Sequence, residues 1–225
     1  MDKLINFEET RWIFDELDTS HYSQGMTVKH VIPPRFLKYG KILQPLFRDN
    51  LIKNESLTFE DCRDSDLDEM DLGEKFTYKD IACKYGMPYD SEITTATFIS
   101  FFGGSLPCYL ITSEEGDLDR GIVESLVILL REFTGGKCYF YYAPNSWVNE
   151  ELLFYGKLTE LIALINEVGS FPTYCWSEER SWCIHMNYNV DFALIGGQKQ
   201  LIDQLANSDI EMFKIEYSDI VLKYR

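Results

Sequence analysis

The chain has 225 residues, enough for one large domain or two small ones, and its 45% apolar and 15% aromatic content excludes a wholly disordered polypeptide. Its 37 acids against 21 Lys and Arg leave a formal charge of −16, which argues against a nucleic-acid partner, because such binding draws its affinity from Lys and Arg contacts to phosphate. The opening MDKLINFEETRWIFDEL carries no apolar run of signal-peptide length, and no later stretch nears the roughly 20 apolar residues that cross a bilayer, so a cytoplasmic protein without membrane contact is expected.

In chain order, VIPPRFLKYGKILQPLF places Pro33-Pro34 ahead of Phe36, Tyr39, Leu43 and Phe47 at helical spacing, which predicts a helix from about Pro34 to Pro45. The run Glu60 to Glu74, EDCRDSDLDEMDLGE, then holds eight acids and one Arg, a net of −7. Thr77 and Asp80 form a T-x-x-D cap for a helix Tyr78 to Tyr85, which Gly86 ends. Beyond it, MPYDSEITTATF has no basic residue where a DNA-recognition helix would need one. Strands are expected at Thr97 to Phe102 and Cys108 to Thr112, around the turn Gly103-Gly104-Ser105.

An amphipathic helix, Arg120 to Phe133, follows a cap at Asp117 or Asp119 and stops at Gly135-Gly136. Strands Cys138 to Tyr142 and Leu152 to Tyr155 precede a helix, Leu158 to Val168, closed by Gly169. Strands Trp182 to Tyr188 and Val190 to Ile195, a helix Gln198 to Ala206 and a strand Glu211 to Tyr217 complete the series. Short hairpins between strands predict an α+β fold: one domain over residues 1–225, a mostly antiparallel sheet with helices packed on it, and an N-terminal helical portion. The only plausible sub-boundary is the acidic loop, 55–76.

The motifs that carry chemistry are sparse. Cys62, Cys83, Cys108, Cys138, Cys175 and Cys183 stand singly, without C-x-x-C spacing, so free and mostly buried thiols are expected and no metal site. Asp64, Asp66 and Asp68 alternate like calcium ligands, but Glu69 stands where that loop needs Gly and Lys75 where it needs Glu. Gly196-Gly197 lacks the spacing of a phosphate loop and reads as a tight turn of positive φ between strand and helix. The histidines are His21, His30 and His185. Cys183 and His185 share a strand face, which is taken to be partly exposed, while Trp182, Ile184, Met186 and Tyr188 form the apolar one.

Two readings remain open for Glu179-Arg180 between Trp176 and Trp182. Arg180 is either a bidentate anchor walled by the two indoles, with His185 nearby, or a structural residue that stacks on a Trp and pairs with Asp191. Tyr139, Tyr141, Tyr142, Trp147, Tyr155 and Tyr174 are either core or the rim of a binding cleft.

The blocks VIPPRFLKYGKILQPLF, FTYKDIA and YCWSEERSWCIHMNYNVDFALIGGQKQLIDQL cover about a third of the chain, and in them the sequence resembles a group of uncharacterised bacterial hypothetical proteins. Trp176, Glu179, Arg180, Trp182, Cys183, Asp191, Gly196 and Gly197 stand where that group has its Trp, acid-Arg pair, Trp-Cys, acid and Gly-Gly. Gln44-Pro45 replaces the His-Pro often found there. The resemblance implies a shared fold and no activity.

Composition and motifs together lead to a non-enzymatic acidic interaction module without cofactor. Its docking surface is expected at Asp61, Asp64, Asp66, Asp68 and Asp71, and its partner is expected to be a basic protein, for instance a toxin that it neutralises as an immunity protein. The alternative is a small-molecule binder or enzyme with its site around Arg180 and the neighbouring aromatics.

Overall fold

The computed structural model describes residues 1–20, 25–58, 62, 70–113, 116–145 and 148–223. After strand β1 (Asp2–Leu4) and a short helix α1 (Arg11–Phe14) come β2 (Met26–Thr27), β3 (Lys38–Leu43), β4 (Leu46–Asp49) and β5 (Leu72–Phe76). Helices α2 (Tyr78–Tyr85) and α3 (Thr95–Phe101) precede β6 (Leu110–Thr112) and helix α4 (Arg120–Leu130). Then follow β7 (Cys138–Tyr142), β8 (Leu152–Gly156), α5 (Leu161–Val168), β9 (Tyr174–Ser177), β10 (Trp182–Met186), β11 (Phe192–Gly197), α6 (Lys199–Ala206), β12 (Met212–Ile215) and β13 (Ile220–Leu222).

Eight strands form one sheet in the order β1-β8-β7-β9-β10-β11-β3-β12, and every neighbouring pair is antiparallel. A three-stranded sheet, β5-β4-β6, and the pair β13-β2 complete an α+β architecture. Because successive strand residues face opposite sides, the large sheet feeds two cores. One side sends Ile42, Phe140, Cys175, Trp182, Ile184 and Ile195 against Leu126 of α4, Leu164 of α5 and Leu201 of α6. The other sends Tyr39, Tyr174, Trp176, Cys183 and Leu194 against Trp12 of α1, Ile81 of α2 and Phe98 of α3.

The helical side forms as its sequence pattern dictates. Asp119 accepts a hydrogen bond from the Gly121 N–H at the start of α4, α5 closes at Gly169 with φ 91°, and each helix turns an apolar stripe inward. Helix α2 has its expected box, with Asp80 N–H donating to Thr77 Oγ1 at 3.0 Å and Gly86 ending it at φ 65°.

Three expectations are overturned. The span expected as a helix from Pro34 to Pro45 holds strand β3 instead; β3 lies inside the sheet with both faces covered, so its apolar residues form a run without alternation that mimics helical spacing. The N-terminal helical portion therefore shrinks to α1 and neighbouring single turns. Residues 95–101 are helix α3, not a strand: Thr94 and Thr97 form a capping box, and Gly103 and Gly104, at φ 84° and 125°, follow a helix where a hairpin was expected. Gly196 and Gly197 lie within β11 without positive φ, and their lack of Cβ serves packing, since one on Gly196 would meet the Phe36 ring at 2.4 Å.

Buried polar ties cross the second core. Lys41 is fully buried, and its Nζ donates to the carbonyls of Ser91, Ile93 and Val221 at 2.9, 2.8 and 3.0 Å, over the Phe192 ring. Tyr78 Oη donates to Asp191 Oδ2 at 2.5 Å, and the Thr95 N–H donates to the same oxygen at 2.6 Å. These bonds fasten α2, α3 and β13 over the sheet with few regular elements to do it.

Candidate functional site

The turn between β9 and β10 carries Glu179 and Arg180. Arg180 holds the left-handed conformation, φ 55°, and the Ser181 N–H donates to Ser177 Oγ to close the turn. Its guanidinium lies 5.3 Å from the centre of the Trp12 ring and 3.4 Å from Glu9 Oε2. Arg35 stacks on Trp12 as well, at 4.4 Å, and pairs with Glu16. Trp12 in turn meets Trp176 edge-on at 6.1 Å, and Tyr139 stacks on Trp176 at 5.3 Å.

These contacts correct the expectation of an arginine walled by two indoles. Trp176 and Trp182 belong to opposite faces of the sheet, and the Trp182 indole donates to Thr134 Oγ1 in the helical core. The expected partner of Arg180 is also wrong: Asp191 is occupied by Tyr78 and Thr95, and Arg180 reaches Glu9. The Glu179 side chain lies over Gly135, while Glu178 accepts the Tyr155 hydroxyl at 2.7 Å. Arg180 thus clamps the N-terminal segment onto the sheet. Of the aromatic concentration, Tyr141, Tyr142 and Tyr174 are buried core, Tyr139 and Tyr155 are half-buried, and Trp147 lies outside the described residues.

His185 and Cys183 do share a face, but that face is covered, not partly exposed: both are buried. Burial pushes the His185 imidazole down to about 3 and the Cys183 thiol well above its ordinary range. A nucleophilic pair needs the opposite shifts, a basic imidazole beside an acidified thiol. His30 Nδ1 accepts the Thr27 N–H at 3.0 Å and closes a turn, and His21 lies outside the described residues. Gln44 is buried and accepts the Asp119 N–H at 2.9 Å.

A second region was not singled out by sequence. Between the small sheet and helices α4 and α5 lies a cleft of about 440 Å³, bounded by Phe47, Met70, Leu72, Ile111, Ile162 and Ile165. Such a volume falls in the range of ligand sites, roughly 300–1,000 Å³. Met70 and Leu72 are 65% and 57% exposed, unusual for large apolar side chains that adjoin one another.

The polar groups around this cleft have partners within the chain. Lys75 Nζ meets Asp119 Oδ2 at 2.8 Å, Arg120 Nε meets Glu124 at 2.8 Å, and Asp117 Oδ1 accepts the Phe171 N–H at 2.9 Å. The cleft can take apolar groups by desolvation. Its signal in the sequence was available: Met70 and Leu72 are isolated apolar residues within an acidic run.

Asp71, one of the expected docking acids, sits between them and is exposed; its N–H donates to Asp49 Oδ1 at 3.3 Å and its carbonyl accepts from the Asn50 N–H at 2.9 Å. Asp61, Asp64, Asp66 and Asp68 lie outside the described residues. Cys62, within the same run, is joined to Cys108 in a disulfide with Cα atoms 6.6 Å apart, so the expectation of six free thiols fails at this pair. Cys138, Cys175 and Cys183 are buried and free as expected, and Cys83 is free and exposed.

Among the described residues no group of three His, Cys, Asp or Glu side chains is arranged to hold a metal ion, and no helix is long and apolar enough to cross a membrane. Comparison with family models, with curated proteins and with solved structures finds no match for this chain.

Proposed function

We propose that this protein is a non-enzymatic binding module that captures a basic, amphipathic segment of a protein partner. The observation that carries the reading is the juxtaposition of an apolar cleft, walled by exposed Met70 and Leu72, with a run of sequence, Glu60 to Glu74, that holds a net of −7 and contains those same residues. The acids attract and orient the partner, and the cleft takes its apolar side chains. The overall charge of −16 acts in the same direction over a longer range, and neutralisation of a basic bacterial toxin in the cytoplasm is the concrete setting that this chemistry suits.

A labelled lysine–leucine peptide with leucines at helical spacing is the probe. It is expected to bind the full chain at low salt and to lose affinity as salt screens the acids. The triple variant Asp64→Lys, Asp66→Lys, Asp68→Lys is expected to weaken binding at least tenfold at low salt. Met70→Ser with Leu72→Ser, which keeps the charge, is expected to weaken it about tenfold, or about 1.4 kcal/mol, at any salt concentration. Unchanged affinity in both variants would overturn the reading.

A further inference from the structure

Asp119 borders both the docking cleft and a second cavity, of about 310 Å³, which is lined by the start of α4, the end of β5 and the link from α6 to β12. Leu43, Pro45, Phe76, Ile122 and Ile210 form its apolar lining, and Leu43 and Ile210 are buried. Its volume is at the small end of the range for ligand sites, roughly 300–1,000 Å³.

Bonds within the chain fix the walls. In the link, Ser208 Oγ donates to the Leu205 carbonyl at 2.7 Å and accepts the Ile210 N–H at 3.2 Å, so the turn buries Leu205 and Ile210 and leaves Asp209 exposed. The Leu43 N–H donates to the Glu211 carbonyl at 2.9 Å, which ties the link to β3. On α4, Ile122 and Ser125 are three residues apart, so they share the face that borders the cavity.

Charge decides what such a cavity accepts. It is bordered by three acids, Asp119, Asp209 and Glu211, and one cation, Lys75. The helix starts beside it, where an anion would otherwise sit, already hold carboxylates: Asp119 accepts the Gly121 N–H at 3.0 Å on α4, and Glu211 accepts the Tyr78 and Lys79 N–H groups at 2.8 Å on α2. Lys75 Nζ is taken up by Asp119 at 2.8 Å. Among the described residues, the Asp209 carboxylate and Ser125 Oγ have no hydrogen-bond or ion-pair partner. A free carboxylate and a free hydroxyl on the border of an apolar cavity are complementary to an ammonium carried on an apolar body.

We propose that this cavity is a second binding site, for a small organic amine whose ammonium pairs with Asp209 and Ser125 and whose apolar body packs against Phe76, Ile122 and Ile210. The site is independent of the docking cleft, and either can fail alone.

The test is an NMR titration of the isotopically labelled full chain with phenethylamine, with phenethyl alcohol and hydrocinnamate as the uncharged and anionic controls. The amine should move the amide signals of residues 121–125 and 209–211. The alcohol should bind about fivefold more weakly, the loss expected for one exposed ion pair, and hydrocinnamate more weakly still. Asp209→Asn, a change at an exposed position, should weaken the amine about fivefold and leave the alcohol unchanged. Ser125→Phe should block both by filling the cavity, with the signals of β10 and β11 unmoved as proof of the fold. Equal affinity for the three compounds, shifts confined to the docking cleft at Ile111 and Ile165, no shifts at all, or full affinity for the amine in Asp209→Asn would overturn the proposal.

Discussion

The two faces of the large sheet are buried to similar depth by different means. On one, three amphipathic helices, α4, α5 and α6, lay apolar stripes on Phe140, Ile184 and Ile195, with polar ties such as that from the Trp182 indole to Thr134 Oγ1 beside them. On the other, α1, α2, α3 and irregular segments cover the strands, and specific polar ties hold them: Lys41 to three carbonyls, Asp191 to Tyr78 and Thr95, and Arg180 and Arg35 to Trp12. Irregular segments do much of the covering on that face, and these directional bonds tie them and α2 and α3 to the sheet. The helical face should accordingly tolerate exchanges of similar volume, and the other should not.

Substitutions on the two faces break or sharpen this contrast. Lys41→Met removes three hydrogen bonds and leaves buried carbonyls without their donor, so denaturant melts should show a loss of about 3–5 kcal/mol. A loss under about 1 kcal/mol would show the lysine to be dispensable. On the helical face, Leu126→Ala should cost about 2–4 kcal/mol as a cavity, whereas Leu126→Met should cost less than about 1.5 kcal/mol. Equal costs for Leu126→Met and Lys41→Met would erase the distinction between the faces.

His185 adds a dependence on pH to the second face. Its folded pKa of about 3 lies below its ordinary value, so the unfolded chain takes up a proton first. The stabilisation is complete above about pH 6.5 and is lost as pH falls toward 3, by about 1.4 kcal/mol per unit. Stability measured from pH 7 to 5 should therefore fall less steeply in His185→Gln; an identical slope would place the proton uptake elsewhere.

The smallest effect belongs to Arg180. Arg180→Ala should lose about 1 kcal/mol with the Trp12 and Glu9 contacts, and Arg180→Gly should lose less, because glycine relieves the cost of φ 55°. Equal losses in thermal melts would mean that the turn stores no backbone strain.

How much was legible follows the same division. Helices α2, α4, α5 and α6 and strands β7, β8, β10 and β11 stand close to their expected places, because caps, glycine stops and apolar stripes are local signals. Strand β3 falls inside the span expected as helix because burial by distant segments on both faces decides it, and α3 overlaps a span expected as strand, where the Thr94–Thr97 cap sets the helix. The same holds for the site: the acids and the density around Trp176 and Trp182 were visible, but the placement of those indoles on opposite faces required the register of β9 against β10, in which Trp176 pairs with Cys183. The cleft needed Met70 and Leu72 to meet Ile111, Ile162 and Ile165 across the fold.

By itself, then, the sequence determined the fold class, the amphipathic helices and the run of acids. Only the tertiary structure decided which residues the sheet covers on both sides, that Arg180 is a clamp, that a cleft opens beside Leu72, and that Cys62 meets Cys108. The physical reason is range. Caps and periodicity act within one or two turns of chain, whereas burial, pairing and disulfide contact depend on segments far apart in sequence whose meeting no local pattern encodes.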